Sequence, residues 1–376
     1  MQASEGLIYL CKQAVDEQTP DREMIASIDL EALRQLASEH MLGAITAMAL
    51  EKAGIKDPGF RKFIDVSYYK TVLVQTEKDR IFQRLREKKI WHMALKGAVI
   101  KDWYPRVGMR ECVDLDILFD PQYETEVKDV MLALGYQVES YGGGHHDIYI
   151  KSSGMTVEMH LALFGVEFEE RLNQYFRNAA SRIIMDDDFE GHFNTEDFYV
   201  YFIAHGHNHY MESGIGLRFL VDEYVFLNKF EAQMDWKYVQ DELGKIEVDN
   251  FENSIRLLVK KIFSETAQLS HEESDILNYI LGAGSHGSLA NKVNNRLSRE
   301  GGGLKGYVKY FYHRIVLPMD VVEHSFSFFY RHKLFLPFLP FYRAVKGIMN
   351  NRNRLSAEVA ALTNKNRGRH RGKKGN

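Results

Sequence analysis

Two aspartates two residues apart, Asp114 and Asp116, stand in the apolar run from Val113 to Phe119, some way behind a lysine–glycine pair, Lys96 and Gly97. Side chains alternate across a strand, so Asp114 and Asp116, with Cys112, are expected on one face while Val113, Leu115 and Ile117 fill the other. Carboxylates held side by side repel unless a positive charge lies between them. Hard divalent ions such as Mg²⁺ take such oxygens and complete their shell with water and substrate phosphates. A third acid, Glu158, sits in the alternating run MTVEMHLAL, with Val157 and Met159 turned away from it. Three acids on strands and a glycine turn suit a two-metal phosphoryl-transfer constellation.

The neighbours of these acids have two readings each. Lys96 either neutralises a β- or γ-phosphate as a point charge or is a surface lysine after a strand. Gly97 follows the short strand Ile90 to Leu95 and precedes a helically spaced AVIKDWY, where a backbone can approach a phosphate. Arg110, four residues before Asp114, either grips phosphate bidentately or pairs with an aspartate structurally. Glu158 is the best general-base candidate, and His160, on the same face, orients that acid, touches substrate or is simply a hydrogen-bonded structural histidine. His205 and His209 share a helical face, as in zinc sites, but no glutamate follows His205 as the HExxH motif requires, and with His207 they make zinc a minority reading. Arg218 and Asp222 repeat that spacing and fit an intrahelical ion pair. His145 and His146, after three glycines, mark a hairpin or loop at the rim.

The string LKG, then Tyr104, Arg110, DLDILF and VEMH, resembles the uncharacterised bacterial nucleotidyltransferases of the DNA polymerase β-like superfamily. The likeness is specific over Leu95 to Leu163 and looser around HGHNHYMESGIGLRFLVDEYVFL. Two departures stand out: Ala98 follows Gly97 where members carry Gly or Ser, and the gap to Asp114 is longer than in most. The resemblance implies Asp114, Asp116 and Glu158 as catalytic metal ligands and Lys96, Gly97 and Arg110 as nucleotide-binding residues. It implies Mg²⁺ or Mn²⁺, a nucleoside triphosphate donor such as ATP, and release of pyrophosphate. The acceptor is then a small molecule, a protein side chain or an RNA end. A toxin-like enzyme modifying tRNA and a non-catalytic nucleotide-binding protein on the same fold are the alternatives, the second disfavoured because three converging acids repel without metal.

The elements that must position these residues follow from periodicity. Up to about residue 89 apolar residues recur at three and four, predicting helices over EGLIYLCKQAV, over LEALRQLASEHMLGAITAMALEKAG and over FRKFIDVSYYKTVLVQTEKDRIFQRLREKK, with a turn at Asp57-Pro58-Gly59. From 90 to about 165 strands are expected near 90–95, 112–119, 135–140, 146–151 and 155–161, with helices near 97–104 and 121–134. After Glu167 the chain reads as helical again. The fold class is therefore α+β, a small mixed β-sheet of the polymerase β-like palm kind flanked by helical regions. The divisions are 1–89 helical, 90–165 catalytic core, 166–350 helical and 351–376 a basic, disordered tail.

The chain has 376 residues, 45% hydrophobic and 27% charged, with a formal net charge of -4, so an ordinary globular composition exerts no global pull on nucleic acid. Cys11 and Cys112 form no CxxC, and MQASEGLIYL lacks a signal-like n-region, which favours the cytoplasm. No apolar stretch reaches the roughly 18–20 residues that span a bilayer. Residues 305–349 alternate aromatic and basic side chains, which suits a packed helical bundle, a partner groove or the membrane interface. The final NKNRGRHRGKKGN carries six Lys or Arg and no acid, a composition that suits a tether for RNA or lipid as well as a solvated tail.

Overall fold

The structure is a computed structural model that describes residues 1–142, 144–165, 170–177, 179–186, 188–264, 268–285 and 327–342, with isolated positions between the last two stretches. Two compact units divide the chain, Met1–His207 with Gly216–Leu281, and Asn208–Ile215 with Gly282–Asn376. The acids and their neighbours lie in the first.

Its N-terminal part is helical: α1 Ala3–Val15, α2 Arg22–Ala26, α3 Leu30–Glu39, α4 Gly43–Lys52 and α5 Pro58–Glu87. The single helix expected from Leu30 to Gly54 is broken, with Met41 in the left-handed region at φ 55°. Two contacts account for the break. The ring of His40 turns into the protein, where its Nδ1 accepts from the Leu217 amide at 2.9 Å and its Nε2 donates to the Leu281 carbonyl at 3.2 Å. Gly43 lies so close to Phe63 that a β-carbon there would meet the ring at 2.4 Å, so α4 needs its own direction to cross α5. Asp57-Pro58-Gly59 starts α5 outright: the Asp57 side chain accepts from the Phe60 amide at 3.0 Å, and Pro58 occupies the first turn, where its missing N–H costs nothing.

The central sheet has five strands, β1 His92–Ala94, β2 Asp114–Phe119, β3 Gln137–Ser140, β4 His146–Ile150 and β5 Thr156–His160, in the order β1-β2-β5-β4-β3. Only β2 and β5 run parallel; the other pairs are antiparallel. Between β1 and β2 lie a short helix α6 Gly97–Ile100 and a 3-10 turn, and between β2 and β3 lies α7 Glu124–Ala133. Alternation puts Leu115, Ile117, Phe119, Val157, Met159 and Tyr149 into one buried cluster, closed by side chains of α5 and α7. Cys112 precedes the strand and joins that cluster, correcting its expected place beside the aspartates; Val113 is exposed at 39%. The opposite face of β2 and β5 carries the acids.

Beyond the sheet come α8 Glu170–Phe176, α9 Thr195–Glu212, α10 Leu217–Phe230, α11 Trp236–Lys245, α12 Asp249–Ile262 and α13 His271–Ala283. The region expected to be wholly helical also holds a two-stranded piece, β6 Ile184–Met185 with β7 Gly191–His192, too short for periodicity to reveal. In the second unit, a helix Ser327–Arg331 and a 3-10 turn Lys333–Phe338 belong to the aromatic, basic segment. Most of residues 305–349 and all of the basic tail lie outside the described residues. Among the described residues no helix is long and apolar enough to cross a membrane.

Candidate active site

The parallel pairing of β2 with β5 sets Asp116 opposite Glu158 and Asp114 opposite Thr156. Residues opposed across a parallel pair point the same way, so Asp116, Glu158 and, two residues on, His160 share one face. One ligand atom from each of these three lies within 4.8 Å of the others, a group able to hold a metal ion. Asp114 projects from the same face but stands outside that group, at the solvent edge.

Asp116 is 5% exposed and is held from two sides. Lys96 Nζ donates to its Oδ1 at 2.8 Å, and His160 Nε2 donates to the same oxygen at 2.8 Å. Burial pushes the Asp116 carboxyl up, but the Lys96 charge and the His160 bond outweigh it and hold it well below the usual carboxylate range. The same pairing works in reverse on Lys96, where desolvation is overcome by the Asp116 charge and the amine stays protonated above its ordinary range. Asp114 makes no side-chain hydrogen bond among the described residues. Desolvation by the surrounding protein, then repulsion from Asp116, raises its carboxyl. Two aspartates of one motif thus differ: Asp116 is neutralised by Lys96 and His160, whereas Asp114 has no such partner among the described residues and its carboxyl is raised.

Lys96 adopts φ 47° and ψ -120°, a backbone state that favours glycine, and a lysine kept there at the mouth of the site is strained backbone of the kind that gathers at functional positions. Gly97 has no room for a side chain. A β-carbon would lie 2.4 Å from Nη1 of Arg110, so the space is already taken by that guanidinium. Of the two readings of Arg110, the geometry gives the aspartate pair: Nε and Nη2 donate to the two carboxylate oxygens of Asp222, and Tyr104 donates to Asp222 at 2.7 Å. The expected Arg218–Asp222 ion pair is therefore replaced. Arg218 instead reaches the Met41 sulfur at 3.1 Å and the Glu111 carbonyl at 3.3 Å, and it pairs with no carboxylate among the described residues. Burial, then the Arg110 charge, lowers its guanidinium from its ordinary value, while Asp114 acts on it in the opposite direction.

Three more residues lie near the acids: the sequence placed His145 and His146 only at a rim hairpin or loop, and it did not single out Tyr201. His146 faces His160 across the β4–β5 pair, and its Nε2 lies 3.9 Å from Glu158. His145 stands beside it, with its Nε2 3.1 Å from His146 Nδ1. Burial and then the neighbouring imidazole charges hold His145 down at about 3, and burial followed by His160 lowers His146. Tyr201, on α9, is 1% exposed, its hydroxyl has no hydrogen-bond partner among the described residues, and burial, with the charges of Asp116 and Glu158 against that of Lys96, raises it. Only the hairpin register and the docking of α9 bring these side chains here; no local spacing encodes it. His205, His207 and His209 belong to none of the metal-capable groups among the described residues. An apolar cavity of about 200 Å³, lined by Trp103, Phe198, Phe226 and Phe230 among others, contains none of the acids.

A family model described as an uncharacterised nucleotidyltransferase matches residues 26–264. No curated protein and no solved structure matches the chain.

Proposed function

The chain belongs to the uncharacterised nucleotidyltransferase family, and from that premise we propose a metal-dependent, polymerase β-like transferase that moves a nucleoside monophosphate from a nucleoside triphosphate to an acceptor oxygen. The observation that carries this reading is the register pairing of Asp116 with Glu158, with Asp114 two residues away on the same face. The donor set fits the ion: carboxylate oxygens at Asp114, Asp116 and Glu158 are hard ligands of the kind Mg²⁺ or Mn²⁺ selects. Held there, such an ion supplies Lewis-acid polarisation of the α-phosphate and offsets charge on the leaving pyrophosphate.

The chain's own residues have separable tasks. Glu158, whose side chain is partly exposed, takes the proton of the acceptor as the acceptor oxygen bonds to the α-phosphorus and the bond to the β-phosphate oxygen breaks. Lys96 trades Asp116 for a phosphate oxygen when the site is loaded, which its single flexible ammonium allows. Arg218, a cation without a carboxylate partner among the described residues, offers a fork for the same phosphates. Arg110 stays with Asp222 and holds the loop before β2 in place.

Thermal melting of the full chain with each of the four nucleoside triphosphates, with and without Mg²⁺, tests the reading. Binding to the native state alone raises apparent stability. A Mg²⁺-dependent rise with a nucleotide, lost in Asp114→Asn and in Glu158→Gln, supports it, and label from the α-phosphate of that nucleotide then identifies the acceptor in a cell extract. No rise with any nucleotide, or an equal rise in both variants, overturns it.

A further inference from the structure

We propose that His145, His146 and His160 hold a first-row transition metal ion, Zn²⁺ foremost, at the β4–β5 edge of the acidic face. The proposal goes beyond the transferase reading, because it stands on imidazoles that nucleotidyl transfer at the carboxylates does not require.

One ring nitrogen from each of the three histidines lies within 4.8 Å of those of the other two. Nitrogens bound to a common zinc at about 2.0–2.1 Å lie about 3.3 Å apart, so small ring rotations close the cluster. His145 and His146 are nearly there, with nitrogens 3.1 Å apart. The scaffold is built for it: the β4–β5 register sets His146 opposite His160, with ring centroids 5.0 Å apart. The backbone of His145 is tied to the end of β5, its carbonyl accepting from the amides of Leu161 at 2.8 Å and Ala162 at 3.2 Å.

The second observation is at His160. Its side chain is buried, its Nε2 donates to Asp116, and its Nδ1 is a buried nitrogen with no hydrogen-bond partner among the described residues. A buried polar atom without a partner costs stability, so something is expected to satisfy it. An imidazole that gives one N–H to a carboxylate and presents its other nitrogen is the usual arrangement of a metal-bound histidine with its outer partner. Three nitrogen donors select Zn²⁺ and its neighbours over Mg²⁺, which prefers oxygen. The ion fixes the ring of His160 and so the N–H that Asp116 receives; it positions the acid and leaves the carboxylates free for a second, hard cation.

The test is a titration of the chelator-stripped full chain, without added histidine tags, with Co²⁺ alone, read by visible absorption. One equivalent giving intense bands of a tetrahedral nitrogen site, unmoved by excess Mg²⁺ and displaced by Zn²⁺, is expected. Loss of an outer-shell partner weakens a site about 10–100-fold, so loss of a ligand in His145→Ala or His146→Ala should weaken Co²⁺ binding on the order of 100-fold or more. Asp114→Asn should leave the titration unchanged. An unchanged titration in the His145→Ala/His146→Ala double variant, or bands abolished by Mg²⁺, overturns the proposal. Should those variants not fold, X-ray absorption of the zinc-loaded native chain decides: three nitrogen neighbours are expected, and an oxygen-only shell sinks the site.

Discussion

The guanidinium of Arg110 and the carboxylate of Asp222 meet in a two-pronged buried ion pair, Nε to Oδ1 at 2.8 Å and Nη2 to Oδ2 at 2.9 Å, joining the loop before β2 to α10 across 112 positions of sequence. The strand that carries Asp114 and Asp116 begins directly after this clamp. The clamp ties the loop that leads into that strand to α10, although neither clamp residue is hydrogen-bonded to either acid.

Removing one half of the clamp leaves a buried charge without its partner. Asp222→Ala should cost about 3–5 kcal/mol in urea unfolding, whereas Arg110→Met/Asp222→Leu together should cost clearly less than the sum of the two single changes. A cost for Asp222→Ala of under about 1 kcal/mol, the scale of an exposed pair, would show that the clamp does not hold the loop.

Gly97 and Arg110 compete for one volume. Gly97→Ala places a β-carbon 2.4 Å from the Arg110 guanidinium, whose two bonds to Asp222 keep it from yielding freely. A destabilisation of about 1–3 kcal/mol is expected, shrinking when measured in an Asp222→Ala background, where the guanidinium can move. Equal cost in both backgrounds would mean the clash is relieved elsewhere.

The two motif aspartates should respond in opposite senses to the same isosteric change. Asp114→Asn removes a repelled carboxylate, so the nucleotide-free protein should melt at the same temperature or higher while its Mg²⁺-nucleotide shift disappears. Asp116→Asn strands the Lys96 ammonium and should destabilise the nucleotide-free protein by several kcal/mol, about 3–5 for a broken buried pair. Differential scanning fluorimetry distinguishes the two; identical apo behaviour would contradict the assigned electrostatics.

Glu223, on α10, is fully buried, and desolvation raises its carboxyl to about 8. Its Oε1 lies 2.6 Å from the Tyr199 hydroxyl, which also lies 2.9 Å from Glu252, and one phenolic proton cannot serve both carboxylates. A protonated Glu223 can donate to Tyr199, which donates to Glu252. The folded state thus keeps a proton that the unfolded chain releases above about 4.5, and it binds more protons throughout the window up to about 8. The contribution of this group to stability falls as pH rises through that window and levels off above it. Glu223→Gln should melt higher than the native protein at pH 8, with the gap closing towards pH 5. A gap independent of pH would place the ionisation elsewhere.

The strands around the acids were legible because alternation has a period of two: DLDILF and TVEMH show which residues share a face before any partner is known. Cys112 did not follow, since the alternation expected from 112 begins only at Asp114, where ladder pairing starts. The break between α3 and α4 was hidden because apolar spacing continues through it. The contacts that bend the chain there come from Phe63, Leu217 and Leu281. Helical spacing likewise offered Arg218 to Asp222, but a planar guanidinium arriving from the β2 loop makes two aligned bonds to that carboxylate, and Arg218 turns to a backbone carbonyl.

By itself the sequence determined the α+β class, the rough positions of the five central strands, the face shared by Asp114 and Asp116, and the face of its own strand on which Glu158 lies, because all of these follow from local periodicity. Only the tertiary structure decided that Glu158 opposes Asp116, that Arg110 belongs to Asp222, that Lys96 neutralises one aspartate and not the other, and that His145 and His146 meet His160. Those pairings depend on strand register and on contacts between segments up to 112 residues apart, where the energy of burying a charge or filling a volume selects among partners that sequence spacing leaves equal.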